Sequence, residues 1–378
     1  MSCDIEAAYQ QAVALVRALC AIPAPSHHEE KRAEFCKKYF DERGFENVVI
    51  DRALNVLVPL NVTQNNDIVV IMAHTDTVFP DTEVLPFYEK DGFFYCPGVT
   101  DDTANLSVLM SCAPWFRENF LSSAPDFGVL LVANSCEEGL GNLKGCREIM
   151  KTYGGRIREF ISLDSAKMNS LVTLAAGSHR YQVTVRTCGG HSYNDFGNPN
   201  AIHLLSKLVN RLYEVEIPVH GSSRTTYNVG SISGGTSVNT IAQEAAILYE
   251  YRSNDRRCLA AMQDFFEREI GKLKADGVDV EVKMLGERPC SADIDEKRFS
   301  ELCGRVKKSV KKVLGLETIE RSASTDCNIP LSLGIPAVCF GVCRGHGAHT
   351  REESLEVASL RDGCRLLVDF LSESYIGK

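Results

Sequence analysis

The apolar run Ile68-Val69-Val70-Ile71-Met72 leads directly into Ala73-His74-Thr75-Asp76-Thr77. Such a run reads as a buried strand that delivers polar side chains to its end. Extended backbone places His74 and Asp76 on the same side. A carboxylate there can fix one tautomer of the imidazole while the other ring nitrogen binds a metal. Alone, a His-x-Asp is more often an ordinary strand-end turn. Here it has company. Gly98-Val99-Thr100-Asp101-Asp102-Thr103 puts two carboxylates at an expected helix start, where capping accounts for one Asp and not both. Phe127 to Ala133 ends in Asn134-Ser135-Cys136-Glu137-Glu138-Gly139, and Phe160 to Leu163 ends in Asp164. Ala337 to Phe340 leads through a glycine-rich loop to His346-Gly347-Ala348-His349-Thr350.

His74, Asp101, Glu138, Asp164 and His349 thus fall near strand ends. Two histidines and three carboxylates suit a pair of divalent ions sharing one bridging carboxylate. The donor set fits two zinc ions per subunit, with cobalt or manganese as substitutes. Paired ions lower the pKa of a water and stabilise an oxyanion. A carboxylate free of the ions is then needed to move the water's proton to a leaving amine, and Glu137 supplies it.

The elements that must position these residues form an α/β pattern, in which sites gather just outside the carboxyl ends of strands. Residues 1–176 and 289–378 read as this catalytic, metal-binding domain, built on a central mixed sheet. Between them the rhythm changes. Strands over 179–186, 225–232, 245–251 and 278–284 and helices over 199–213 and 255–274 give the order βαββαβ. That order predicts an inserted ferredoxin-like α+β domain over 177–288. A helix over 296–314 returns to the first domain.

Composition bounds the function. Hydrophobic and charged contents of 44% and 24% are those of an ordinary globular protein. A net charge of -9 argues against nucleic acid or an anionic membrane as partner. No apolar run approaches the ~20 residues of a membrane span. The opening residues form an amphipathic helix pattern, not a signal peptide. Fifteen cysteines, none in a Cys-x-x-Cys pair, indicate free thiols and a cytoplasmic location.

Taken in order, these motifs resemble the co-catalytic metallopeptidases of the M20 group. That group includes tripeptide aminopeptidase (peptidase T), cytosolic dipeptidases, carboxypeptidase G and the acetylornithine and succinyl-diaminopimelate deacylases. The peptidase T-like branch is the nearest in character. The matching stretches are those around His74, Asp101, Glu137-Glu138, Leu163-Asp164 and Ala348-His349-Thr350. Gly189-Gly190-His191-Ser192 and Gly234-Gly235-Thr236-Ser237-Val238-Asn239 complete the set. The resemblance implies a zinc-exopeptidase-type catalytic domain and a lid domain that also mediates a homodimer. It implies that Asp101 bridges the ions, with His74 and Asp164 completing one site and Glu138 and His349 the other. Asp76 would orient His74, Glu137 would act as general base and acid, and the Asp101–Asp102 peptide would be cis. His191 would polarise the substrate carbonyl in the partner subunit, and Asn239 and Arg252 would hold a substrate carboxylate.

Two departures from the group's pattern stand out. Asp102-Thr103-Ala104-Asn105 replaces the frequent Asp-x-Lys-Gly, and Ser322-Ala323-Ser324-Thr325-Asp326 replaces Arg-Gly-Gly-Thr-Asp. Both leave the expected ligands intact. His346 rivals His349 as the last ligand, with the Ala-His-Thr context favouring His349. His27, His28, His203 and His220 are expected at the surface without a role. The expected activity is hydrolysis of di- or tripeptides by a metal-activated water. The alternative is an N-acyl amino acid amidohydrolase using the same ions, so the substrate is a short peptide or an N-acyl amino acid. A non-catalytic binding module would be expected to lose Glu137 or several ligands, and none is lost.

Overall fold

The apolar runs that end in candidate ligands form the middle of one eight-stranded sheet in the computed structural model, which describes residues 3–377. The strand order is Val49–Ile50, Val56–Leu60, Gly128–Asn134, Ile68–His74, Ile157–Leu163, Ala337–Phe340, Ser170–Ala175 and Ile319–Ala323. The four from Gly128–Asn134 to Ala337–Phe340 are mutually parallel. Their neighbours Val56–Leu60 and Ser170–Ala175 run antiparallel to them. Register aligns His74 with Asn134 and Leu163 with Phe340, so the parallel strands finish level at one edge.

Every residue of Ile68–His74 and Gly128–Asn134 is buried, as expected of parallel strands covered on both faces. Helices Ile5–Cys20, Ala104–Ser122 and Ser359–Tyr375 pack on one another and share the main core with the sheet. Glu296–Leu314 packs on Ser359–Tyr375 and on Ala337–Phe340, and ends at Gly315, whose φ of 69° provides a left-handed cap. The polar stretch 80–98, read from sequence as a loop, contains a hairpin of Tyr88–Lys90 and Phe93–Tyr95. Its turn is Asp91-Gly92, both at positive φ. Phe93–Tyr95 also pairs with Ser354–Glu356, which pairs with Gly345–His346, so His349 sits in a turn anchored on both sides.

The chain divides into two compact units, Met1–Leu174 with Ala292–Lys378, and Ala175–Ser291. The second unit holds an antiparallel sheet ordered Thr225–Gly234, Glu244–Ser253, Gly177–Arg186 and Asp279–Arg288. With helices Ala201–Tyr213 and Arg256–Ala275 this is the ferredoxin-like arrangement. Leu205, Leu208, Met262 and Phe266 from the helices pack on Tyr181, Val183, Ile247 and Tyr249 from the strands. Burial alternates along Glu244–Ser253, so one face of that sheet is covered and the other is open.

Candidate metal centre

Each parallel strand delivers its charge just past its end. His74 is the last residue of its strand, Asp164 follows Leu163 directly, and Glu137 and Glu138 lie three and four residues past Asn134. Asp101 comes from the turn before Ala104–Ser122, and His349 from the turn after Gly345–His346. Ligand-capable atoms of His74, Asp101 and Glu138 lie within 4.8 Å of one another, as do those of His74, Glu137 and Asp164. His349 joins the first group, its Nε2 being 3.0 Å from Asp101 Oδ2 and 3.1 Å from Glu138 Oε1. His74 Nε2 is 3.0 Å from Asp101 Oδ1. The two oxygens of Asp101 therefore face two different histidines. The structure thus gathers all five expected ligands, with Glu137, in the first unit.

Donors and acceptors show what this arrangement lacks. His74 Nδ1 lies 3.0 Å from the Asp76 carbonyl, an acceptor, so Nδ1 carries a hydrogen. With a neutral imidazole a bare Nε2 would face a carboxylate oxygen, so the 3.0 Å contact needs a proton or a metal ion there. Protons answer the need only by distorting titration. Burial alone would lower the pKa of His74, but its bond to Asp101 and the charges of Asp102 and Asp76 hold it well above the ordinary value. Bonds to Asp101 and Glu138 push His349 up to about 11. Burial, opposed by His349, leaves Glu138 at about 7, and burial with the charge of Asp101 raises Asp164 well above the carboxylate range. A set of imidazole and carboxylate oxygens that strains against its own protons suits divalent ions.

The surrounding bonds differ from the sequence reading at Asp76. Its carboxylate accepts the backbone N–H of Glu137 (3.0 Å) and of Glu138 (2.9 Å) and the hydroxyl of Ser26 (2.6 Å). His74 is held mainly by the Asp76 main-chain carbonyl, with Oδ1 at 3.4 Å. The helix-cap explanation for the aspartate pair does not hold. Helix Ala104–Ser122 has no side-chain cap, and Asp102 accepts the His74 N–H (2.9 Å) and the Asn105 amide (2.6 Å). The Asp101–Asp102 peptide is cis. Asn105, one of the departures from the group's pattern, also accepts the Val342 N–H at 2.8 Å and so ties the turn to the loop after Ala337–Phe340. In the other departure, buried Asp326 accepts the Asn134 amide at 2.6 Å. Burial and then the charge of Glu137 push Asp326 up to about 7.

Sequence reasoning missed Arg32. Its buried guanidinium donates to the carbonyls of Ile22 and Thr75 and to the Thr103 hydroxyl, linking the two turns beneath the site. No local pattern marks it, because its partners are main-chain atoms far along the chain. His27, expected to be idle, is exposed but lies 3.4 Å from Cys136 Sγ, beside the Glu137-Glu138 turn. His346 is exposed on its short strand.

The remaining expected site residues belong to the second unit. His191 pairs with Thr240 across a two-residue ribbon, and the Ser192 N–H donates to the Asn239 carbonyl, so His191 and Asn239 flank one ribbon. The Arg252 guanidinium is engaged by both oxygens of Glu250, at 3.0 and 2.9 Å. A substrate carboxylate at Arg252 has to displace that partner.

Known proteins align with this chain over nearly its whole length. A succinyl-diaminopimelate desuccinylase from Corynebacterium glutamicum is 25% identical over 375 residues, covering 96% of both chains. Aminopeptidase PepT from Bacillus cereus has a solved structure that superposes with a TM-score of 0.70 at 22% identity, over 97% of this chain and 98% of its own. A tripeptidase from Staphylococcus aureus superposes at 0.72 and 21% over the same shares. The structural likenesses establish the fold, a mixed α/β architecture. The sequence model of peptidase family M20/M25/M40 matches residues 70–373, a span that contains every candidate ligand and Glu137. The chain therefore belongs to the M20/M25/M40 peptidase family and is a hydrolase of peptide or amide bonds.

Proposed function

We propose that the protein is a two-ion exopeptidase acting on di- and tripeptides. The observation that carries this reading is the Asp101 carboxylate, shared between His74 and His349 where four parallel strands end. Asp101, His74 and Asp164 would hold one ion, and Asp101, Glu138 and His349 the other. When bound, zinc ions at such a site lower the pKa of a water and polarise the scissile carbonyl. Glu137 takes the proton from the attacking water and hands it to the leaving amine. The Glu137 backbone is fixed by Asp76, and its carboxylate reaches the His74–Asp164 side of the cluster. As the resemblance implies, His191 would donate to the oxyanion that develops in the active site of the partner subunit, and Asn239 and Arg252 would bind the substrate carboxylate.

One observation favours a second reading, an N-acyl amino acid amidohydrolase: the relative named as a desuccinylase matches the full length. The fifteen cysteines are all free thiols, in keeping with a cytoplasmic enzyme, and no described helix is long and apolar enough to cross a membrane. Tyr193, Phe196 and Val238, at 85, 89 and 102% exposure in the second unit, support a homodimer formed there. A mass-spectrometric screen of mixed di- and tripeptides against N-acetyl and N-succinyl amino acids, run on wild type and Glu137→Ala, decides among these readings. Peptide turnover lost in Glu137→Ala, with zinc content by plasma emission unchanged, is the expected result. Turnover of acyl amino acids alone overturns the peptidase reading, unchanged turnover in the variant overturns the role of Glu137, and a monomer by sedimentation overturns the dimer.

A further inference from the structure

The turn that carries His349 also carries Glu353, a carboxylate with no exposed surface. Glu353 Oε1 accepts the Thr100 N–H at 2.7 Å, the Thr100 hydroxyl at 2.6 Å and the Asp101 N–H at 3.0 Å. Its Oε2 accepts the Gly98 N–H at 2.8 Å. Among the described residues it forms no ion pair. A buried carboxylate is normally matched by a cation. Here its charge is carried by three backbone N–H groups and one hydroxyl, all from the four residues that end in Asp101. Oε1 takes three of the four bonds and Oε2 one, so both oxygens are engaged.

Geometry makes the pairing more than a local staple. Residues 98–101 and 353 are about 250 positions apart in sequence, as the Gly98 bond spans 255 residues. The Cys96 N–H adds a bond to the Glu353 main-chain carbonyl at 3.2 Å. Asp101 is thus gripped at its backbone by Glu353, while its side chain meets His349, four residues before Glu353 on the same turn. The loop closes on itself: Glu353 to the Asp101 backbone, Asp101 to His349, and His349 back along the chain to Glu353. His349 itself sits at φ 66°, an uncommon conformation for a side chain of its size, and the turn holds it there.

We propose that Glu353 is the positioning residue of the metal centre, fixing Asp101 and His349 relative to each other so that the shared carboxylate can serve both ions. This rests on the two-ion reading above. Because Asp101 belongs to both sites, disturbing Glu353 weakens both ions together, not the His349 side alone. Glu353→Gln keeps the shape but turns one oxygen into an N–H donor that faces backbone donors. The backbone donors left facing that N–H lose their acceptor in a buried site, so the metal-free fold is weakened as well. A residue with a merely architectural role lowers the melting temperature without altering affinity in the folded protein, so zinc affinity is the readout that separates the two.

The test is a zinc-buffered titration of the full chain, with zinc chloride as the probe, beside melting in EDTA. Wild type is expected to take up two ions. Glu353→Gln is expected to bind both about 10–100-fold more weakly, the usual cost of losing a partner behind a metal ligand, and to melt lower in EDTA because buried donors lose their acceptor. Thr100→Val, which removes one donor and no carboxylate, is expected to weaken both ions about tenfold, and it decides the matter if Glu353→Gln does not fold. Affinities of the folded variants equal to wild type overturn the assignment, as does weakening of one ion only. Wild-type protein that takes up no zinc overturns the two-ion reading itself, and the role of Glu353 falls with it.

Discussion

Asp76 does two jobs with different atoms, and the difference can be measured. Its carbonyl sets the tautomer of His74, while its carboxylate holds the backbone of Glu137 and Glu138. Asp76→Asn keeps the carbonyl but leaves only one side-chain oxygen to accept two N–H groups. An orphaned buried donor costs ~1–3 kcal/mol, and a tenfold rate change corresponds to about 1.4 kcal/mol. Asp76→Asn is therefore expected to retain its zinc, by plasma emission, and to lose roughly 5–150-fold in kcat. His74→Ala, which deletes a nitrogen facing the shared Asp101, is expected to lose metal outright. Equal zinc loss in both variants would show that Asp76 acts through His74 alone. His74, Glu138, Asp164 and His349 were legible because each follows an apolar run, and Asp101 because two adjacent carboxylates precede a helix that needs only one. What Asp76 does with its carboxylate was not, since its partners lie about sixty residues away, and neither was Arg32, which bonds only to main chain and a threonine.

At the scale of elements, apolar runs without period-two alternation announced strands covered on both faces, and those strands form the parallel centre of the sheet. The edge strand Ile319–Ala323, mostly polar and exposed, gave no such signal. Helix Ser359–Tyr375 was not among the elements read from sequence, although Leu360, Leu367 and Leu371 stand at helical spacing. The ligand set depends on how closely neighbouring strand ends approach. Gly341, just past Ala337–Phe340, lies so close to the loop after Asp164 that a Cβ there would fall on the Ser165 carbonyl. A backbone atom cannot yield as a side chain can. Gly341→Ala is expected to cost ~1–3 kcal/mol, in the range of overpacked cores, and to part the strand ends that carry Asp164 and His349. Chemical denaturation and zinc titration of the variant check both effects. Full zinc affinity in a destabilised variant would show that the Asp164 loop adapts independently of its neighbour.

For the whole molecule, the dominant fact about the site is its excess of buried acid. Asp76, Asp102, Glu137, Glu138 and Asp326 are all nearly inaccessible, and Arg32 is the buried cation beneath them. This imbalance makes stability depend on pH with a sign that follows from linkage. Burial raises Glu138 from its ordinary 4.5 to about 7, so the native state holds a proton that the unfolded chain has released over that range. Its contribution is present below 4.5 and lost as pH rises through about 7. Asp102 and Asp164, raised chiefly by burial, act in the same direction. His349, raised from 6.5 to about 11 by Asp101 and Glu138, contributes fully below 6.5 and loses that contribution as pH climbs toward 11. Asp101 is shifted the other way, but its depressed value acts only below its ordinary 3.8. Protein held in EDTA is therefore expected to melt at progressively lower temperature from about pH 5 to 8. Zinc reverses the balance, because its ligands must be deprotonated and its affinity grows as protons leave. The gap in melting temperature between zinc-loaded and chelated protein should widen steadily across that range, since the stabilisation follows the free ligand concentration relative to Kd. Differential scanning calorimetry at fixed free zinc measures the gap. A gap independent of pH would mean that the buried carboxylates do not hold the ions.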